Sequence, residues 1–268
     1  MKKYSCFCLL FGLLLGGGLA AAENVSTPAA EPVFISIQTP VPAPTAEPSV
    51  PSAAPESTAV AEPAEVAAPE ATAAAPLDSW EALLEKYRSD DAVGELVFVR
   101  YQGGSTAQVQ LYIKKETGWE EALHCRGYVG YNGIDKQKEG DKRTPTGDFG
   151  ILTAFGIKSN PGTVLPYIKV TSDLYCCADE EFYNKIVSKK EMHHKCTGEH
   201  LINYKPCYNY GLFLDYNSEC EYGKGSAIFM HCFGSNKYTH GCVAVSEKNM
   251  KTILTALHEG ARICIFPQ

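Results

Sequence analysis

Positive charge is in short supply in this chain of 268 residues, where 24 Lys and Arg face 31 Asp and Glu for a formal net charge of −7. The deficit is local. Residues 23–76 hold seven Glu and no Lys or Arg, whereas residues 77–268 carry 22 basic against 24 acidic residues. No basic patch is available for a phosphate backbone, which excludes a nucleic-acid partner. Aromatic residues are also scarce in 23–76, where Phe34 is the only one. A segment of Ala, Pro, Glu, Thr and Ser cannot bury enough apolar surface to offset its ordering entropy. Its prolines make it an extended, semi-stiff spacer. No internal repeat is visible, so the chain is not a repeat array. Metal-ligand spacing is lacking as well. His193-His194-Lys195-Cys196, followed by His200, offers the residue types of a zinc site. Adjacent histidines on a charged stretch rarely converge on one ion, however, and no second pair has matching spacing. The expectation is no metal and no cofactor.

What is present begins at the amino end. Met1-Lys2-Lys3 and the apolar run Cys6–Ala22, closed by Ala20-Ala21-Ala22, read as a signal peptide, residues 1–22, cleaved before Glu23. The rival is an uncleaved anchor, because the run is almost long enough to span a bilayer. Contact with a membrane follows only in that second case. Cys6 and Cys8 open the run instead of following it, which argues against a lipoprotein. Either way the chain is expected outside the cytoplasm. Nine of its eleven cysteines lie beyond Ala22. In an oxidising compartment thiols tend to pair, and an odd number leaves one over. At least two disulfides are expected among Cys176, Cys177, Cys196, Cys207 and Cys220.

After the spacer of residues 23–76, residues 77–94 contain a short amphipathic helix with a capping residue near Asp78 and apolar positions at Trp80, Leu83, Leu84 and Tyr87. From Glu95 to the end the pattern changes to period two. Leu96–Val99, Ala107–Ile113, Gly211–Asp215, Ser226–His231 and Arg262–Phe266 read as strands separated by turn residues. Ser246–Leu257 reads as a helix that starts at a capping serine and stops before Gly260. The fold expected for residues 95–268 is β-rich, two packed sheets in a sandwich with a carboxy-terminal helix.

The chemistry gathers near the end of the chain. His231 closes an apolar strand, and Cys242 follows behind Gly241 after a loop. A loop of that length can fold back and bring imidazole and thiol together, as a cysteine nucleophile and its base require. Gly241 lets the backbone approach closely, so that amide N–H groups near Cys242 meet a developing oxyanion. The plain alternative makes Cys242 a disulfide partner and His231 a hydrogen-bonded core residue. The tyrosines Tyr204, Tyr208, Tyr210 and Tyr216 fit either a substrate groove or half-buried strand aromatics.

Thr239-His240-Gly241-Cys242 behind an upstream histidine resembles the nucleophile signature of the L,D-transpeptidase (YkuD-like) catalytic domain. A second block, Glu139-Gly140-Asp141 leading into Thr144-Pro145-Thr146-Gly147-Asp148-Phe149, is similar to that family's Thr-Pro-x-Gly-x-Phe segment. Its turn chemistry makes Pro145 and Gly147 shaping residues. One departure stands out: Val243 is followed by Ala244, where the family often has Arg or Asn. The resemblance implies peptidoglycan stem peptides as partners, with Cys242 as nucleophile and His231 as general base. It also implies that the Cys232 carbonyl orients His231 and that His240, Gly241 and Cys242 supply oxyanion N–H groups. The activity implied is cross-linking through an acyl-enzyme. An L,D-carboxypeptidase using the same site and a non-catalytic wall-binding module are the rivals.

Overall fold

The period-two alternation that begins near Leu96 is realised as an extensive sheet. The computed structural model describes residues 80–191 and 195–267. The segments read as signal peptide and spacer, the helix start near Asp78, and His193 and His194 lie outside the described residues. Helix α1 (Trp80–Lys86) precedes three long strands, β1 (Glu95–Gly103), β2 (Thr106–Lys115) and β3 (Gly118–Tyr128). Five short strands follow: β4 (Gly147–Phe149), β5 (Ile151–Gly156), β6 (Tyr167–Lys169), β7 (Leu174–Cys176) and β8 (Ile186–Ser188). The remainder comprises β9 (Glu199–His200), β10 (Gly211–Leu214), β11 (Phe229–Cys232), β12 (Val243–Val245), helix α2 (Glu247–Ala256) and β13 (Arg262–Pro267).

Ten strands form one sheet in the order β4-β13-β1-β2-β3-β12-β11-β10-β5-β6, and β8, β7 and β9 form a separate small one. β4 pairs with β13 at one end of the large sheet and β5 with β10 towards the other. A single residue, Gly150, nevertheless separates β4 from β5. The sheet must therefore turn back on itself and bring β13 and β10 together at that corner. A Cβ on Gly150 would lie 2.7 Å from Asp215 Oδ2 and 3.2 Å from Arg262 Nη1, so a larger residue at the crossing must push those side-chain ends aside. The expected two-sheet sandwich thus takes the form of two layers of one continuous sheet.

One apolar cluster joins Val97, Val99, Leu111 and Ile263 of one layer to Leu212, Met230, Val243 and Val245 of the other. Helix α2 adds Met250, Ile253, Leu254 and, just past its end, Leu257, the spacing of a single helix face. Each such side chain contributes about 1.5–3 kcal/mol on burial. Ser246 caps α2, its hydroxyl accepting the Asn249 N–H at 3.2 Å. A separate cluster seats α1, with Trp80 against Phe98 at a ring-centroid distance of 4.8 Å and Leu83, Tyr87 and Cys264 around them. Cys264 is a small buried hydrophobe there.

The expected disulfide framework is not formed. Cys176, Cys207 and Cys220, three of the five cysteines invoked for it, stand as free thiols. The fold distributes them. Cys176 is buried among the apolar residues around Cys242, Cys207 sits in the turn Cys207–Asn209, and Cys220 lies in the loop after β10.

Candidate active site

Parallel strands β11 and β12 lie side by side, with His231 opposite Ala244 and Cys232 opposite Val245. Residues paired across a sheet share a face, as do alternate residues along a strand. Cys242, two residues before Ala244, therefore faces the same side as His231. The thiol is buried. It donates to the Ala227 carbonyl at 3.2 Å and accepts the Phe229 N–H at 3.4 Å. Among the described residues no hydrogen bond joins Cys242 to His231, because the register sets them on a diagonal. The loop thus brings imidazole and thiol to one face.

His231 is only 8% exposed, and its Nδ1 lies 2.7 Å from the Cys232 carbonyl oxygen. A carbonyl can only accept, so Nδ1 carries the proton and Nε2 keeps its lone pair. The Tyr208 ring meets the imidazole edge to face at 5.2 Å between centroids. Burial lowers the His231 pKa to about 4, against the opposing pull of the Cys232 carbonyl. Burial, followed by the nearby Glu199 carboxyl, pushes the Cys242 thiol well above its ordinary value, while Lys136 acts the other way. The resting pair is a neutral thiol and a neutral imidazole.

The backbone behind the thiol is clamped. The Cys242 carbonyl accepts the hydroxyls of Thr239 at 2.7 Å and Thr144 at 3.0 Å, and Thr144 Oγ1 in turn accepts the Gly130 N–H at 2.8 Å. Gly241 adopts φ +147, and a Cβ there would stand 3.1 Å from the Arg143 carbonyl. Its N–H is engaged by Thr239 Oγ1 at 3.2 Å. His240 is exposed, its ring stacked beside Tyr238 at 6.0 Å between centroids. Asp141 organises the Glu-Gly-Asp turn. Burial works against its charge, but N–H groups of Arg143, Gln137 and Lys138 and the Lys136 ammonium hold its pKa down to about 2.

Several residues at the site gave no chemical signal in the sequence. Thr144 reads as turn chemistry, yet its hydroxyl bridges Gly130 and the Cys242 carbonyl. Glu199, in β9, receives the Tyr208 hydroxyl, and burial raises its pKa to about 7. Of the four tyrosines, Tyr208 is buried in the cluster containing Cys242 and Tyr204 stacks on it at 4.8 Å between centroids. Tyr210 joins the main core, and Tyr216 packs on Phe149. Ala227, which accepts from the thiol, holds φ +53, costly for a residue with a Cβ. The Asn184 carboxamide fixes it there by accepting the Ala227 N–H at 2.9 Å and donating to Asn217 O at 2.9 Å.

The helical cell shape determining protein Pgp2 from Campylobacter jejuni is similar in structure, at 12% identity and a TM-score of 0.38, covering 69% of this chain and 55% of that one. A point mutant of that protein gives 15% identity and a TM-score of 0.37, with 70% and 55% covered. The chain therefore spans about half the length of those structures. Among curated proteins none matches it. The family model of the YkuD L,D-transpeptidase catalytic domain matches residues 105–265, more than half of the sequence and the whole of the site just described, and the chain belongs to that family.

Proposed function

We propose that the protein is an L,D-transpeptidase that cross-links peptidoglycan stem peptides outside the cytoplasm, with Cys242 as nucleophile and His231 as base. The observation that carries this reading is the pairing on one face of a buried free thiol with an imidazole whose Nδ1–H is fixed on the Cys232 carbonyl. A base held near pKa 4 stays unprotonated at neutral pH, so Nε2 is ready to accept. Sγ attacks the carbonyl carbon of the third stem residue as Nε2 takes the thiol proton. The C–N bond to the terminal D-alanine breaks, its nitrogen takes that proton from His231, and a thioester remains. The amine of a second stem attacks the thioester and passes a proton to His231, which returns it to the departing thiolate. Backbone N–H groups at Cys242 and His240 serve as donors for the oxyanion in this reading. The Gly241 N–H must first leave Thr239 Oγ1 to join them.

An extracytoplasmic site of action follows from the substrate. No helix among the described residues is long and apolar enough to cross a membrane. The test incubates the full chain with a stem tetrapeptide and an amine acceptor, and separately with a carbapenem, and reads products and protein by mass. A cross-linked product and a single adduct mapped to Cys242, both lost in Cys242→Ala, are expected. Trimming to a tripeptide with the amine ignored would replace the reading by L,D-carboxypeptidase. Absence of any adduct, with Cys242 resistant to alkylation, would favour the wall-binding module.

A further inference from the structure

A second group of reactive side chains meets on the small sheet, away from the thiol and imidazole of the main site. Cys177 directly follows β7, Asp179 lies in the loop beyond it, and Cys196 enters from the segment leading to β9. The two sulfur atoms and a carboxylate oxygen of Asp179 all lie within 4.8 Å of one another. Both cysteines are buried. The carboxylate is held in place: Oδ2 accepts the Thr197 N–H at 2.7 Å and the Cys177 thiol at 3.2 Å, and Oδ1 accepts the Thr197 hydroxyl at 2.8 Å. Cys177 is fixed through its backbone, its N–H donating to Lys185 O and its carbonyl accepting the Asn184 N–H, both at 2.9 Å.

We propose that Cys177, Asp179 and Cys196 form a structural site for a thiophilic divalent cation, with Zn²⁺ as the fitting ion. Zinc binds thiolate at about 2.3 Å and carboxylate oxygen at about 2.0–2.2 Å in a tetrahedron, which puts ligand atoms roughly 3.5 Å apart. The three atoms here lie within 4.8 Å of one another, and a bound ion would draw them together. Binding displaces both thiol protons to solvent, so two thiolates and one carboxylate face the dication, and a water or further donor completes the tetrahedron. The Thr197 bonds to Asp179 are the outer contacts that orient a ligand carboxylate. The competing chemistry is a Cys177–Cys196 disulfide, for which an oxidising compartment supplies the oxidant, but which gives the anchored carboxylate no partner in the bond. The convergence of Asp179 on both sulfurs favours the cation.

The position gives the site its purpose. Cys176 of β7 pairs with Glu199 of β9, and Cys177 and Cys196 flank that pairing along the chain. A cation bound by them fastens the two strands that hold Glu199 on Tyr208, beside Cys242. It braces a wall of the active site and takes no part in the acyl transfer.

The full chain, purified under reducing conditions and dialysed against metal-free buffer, should retain one zinc ion by elemental analysis. Replacement by Co²⁺ should give a thiolate-to-metal charge-transfer band. Cys177→Ser and Cys196→Ser should lose both signals, and the isosteric Asp179→Asn should weaken binding while leaving the circular dichroism unchanged. Thr197→Val should lower affinity by at least about tenfold. Cys220→Ser, away from the site, should keep the ion. Metal content unchanged in the two serine variants would overturn the proposal. So would unreduced peptide maps of metal-free protein that recover Cys177 bonded to Cys196.

Discussion

Glu199→Gln should unmask a dependence of stability on pH that the unaltered chain conceals. His231 is buried neutral, its pKa lowered from the ordinary 6.5 to about 4. Between those values the unfolded chain binds the proton and the folded chain does not, so stability falls as pH falls. Glu199 does the reverse. Burial raises its pKa from 4.5 to about 7, the folded chain binds the extra proton in that window, and stability rises as pH falls. One pH unit of such a difference is worth about 1.4 kcal/mol, so each group alone moves stability by at most roughly 3 kcal/mol. The figure for Glu199 is an upper one, because that residue keeps some contact with water. From pH 4.5 to 6.5 the two slopes oppose and nearly cancel. Glu199→Gln keeps an acceptor for the Tyr208 hydroxyl and removes only the titration. Urea unfolding at pH 4.5, 5.5 and 6.5 gives the free energy of variant and parent. The variant should gain on the parent by about 2–3 kcal/mol across that range, all other groups cancelling in the difference. His231→Gln should show the opposite slope. Parallel profiles for Glu199→Gln and the parent would refute the burial of that carboxyl beside the thiol.

Three further outcomes are expected. His231→Ala should leave Cys242 open to alkylation yet lower acylation by about 10²-fold or more, checked by stopped incubations with a carbapenem. Thr144→Val strands the Gly130 N–H and removes one of two donors to the Cys242 carbonyl. It should cost about 1–3 kcal/mol in urea unfolding. A chain starting at Leu77 should melt at the same temperature as a longer one. A chain starting at Glu95 should melt lower, since it uncovers Phe98 and leaves the Trp119 indole N–H without its Leu84 carbonyl at 2.9 Å.

The sequence was legible where side chains obey a period. β1, β2, β10, β11 and β13 each carry apolar runs or alternation, and α2 carries a cap and a helical stripe. β3, at 11 residues the longest strand, escaped notice because Trp119-Glu-Glu-Ala-Leu has no alternation and would suit a helix. Its strand state comes from pairing with β2 along nearly its whole length. At the site, Cys242, His231, Gly241 and the Cys232 carbonyl stood out because motif and spacing are local. Glu199, Thr144 and Asn184 act through contacts between residues distant in sequence, which no short window contains. The same reason hid the convergence of Cys177 and Cys196, since spacing rules test neighbours along the chain and here the sheet supplies the neighbour.

The corner at Gly150 carries a consequence for how the chain finds its alignment. Because one residue joins β4 to β5, the pairing of β4 on β13 and that of β5 on β10 cannot slide independently. A slip of one residue on either side would turn a whole strand inside out and drag the other with it. Misalignment in one half is thus opposed by the stability of both. The loops elsewhere can lengthen in descent with little penalty, but this corner can neither gain nor lose a residue. The vertex acts as a vernier, setting two scales by a single mark.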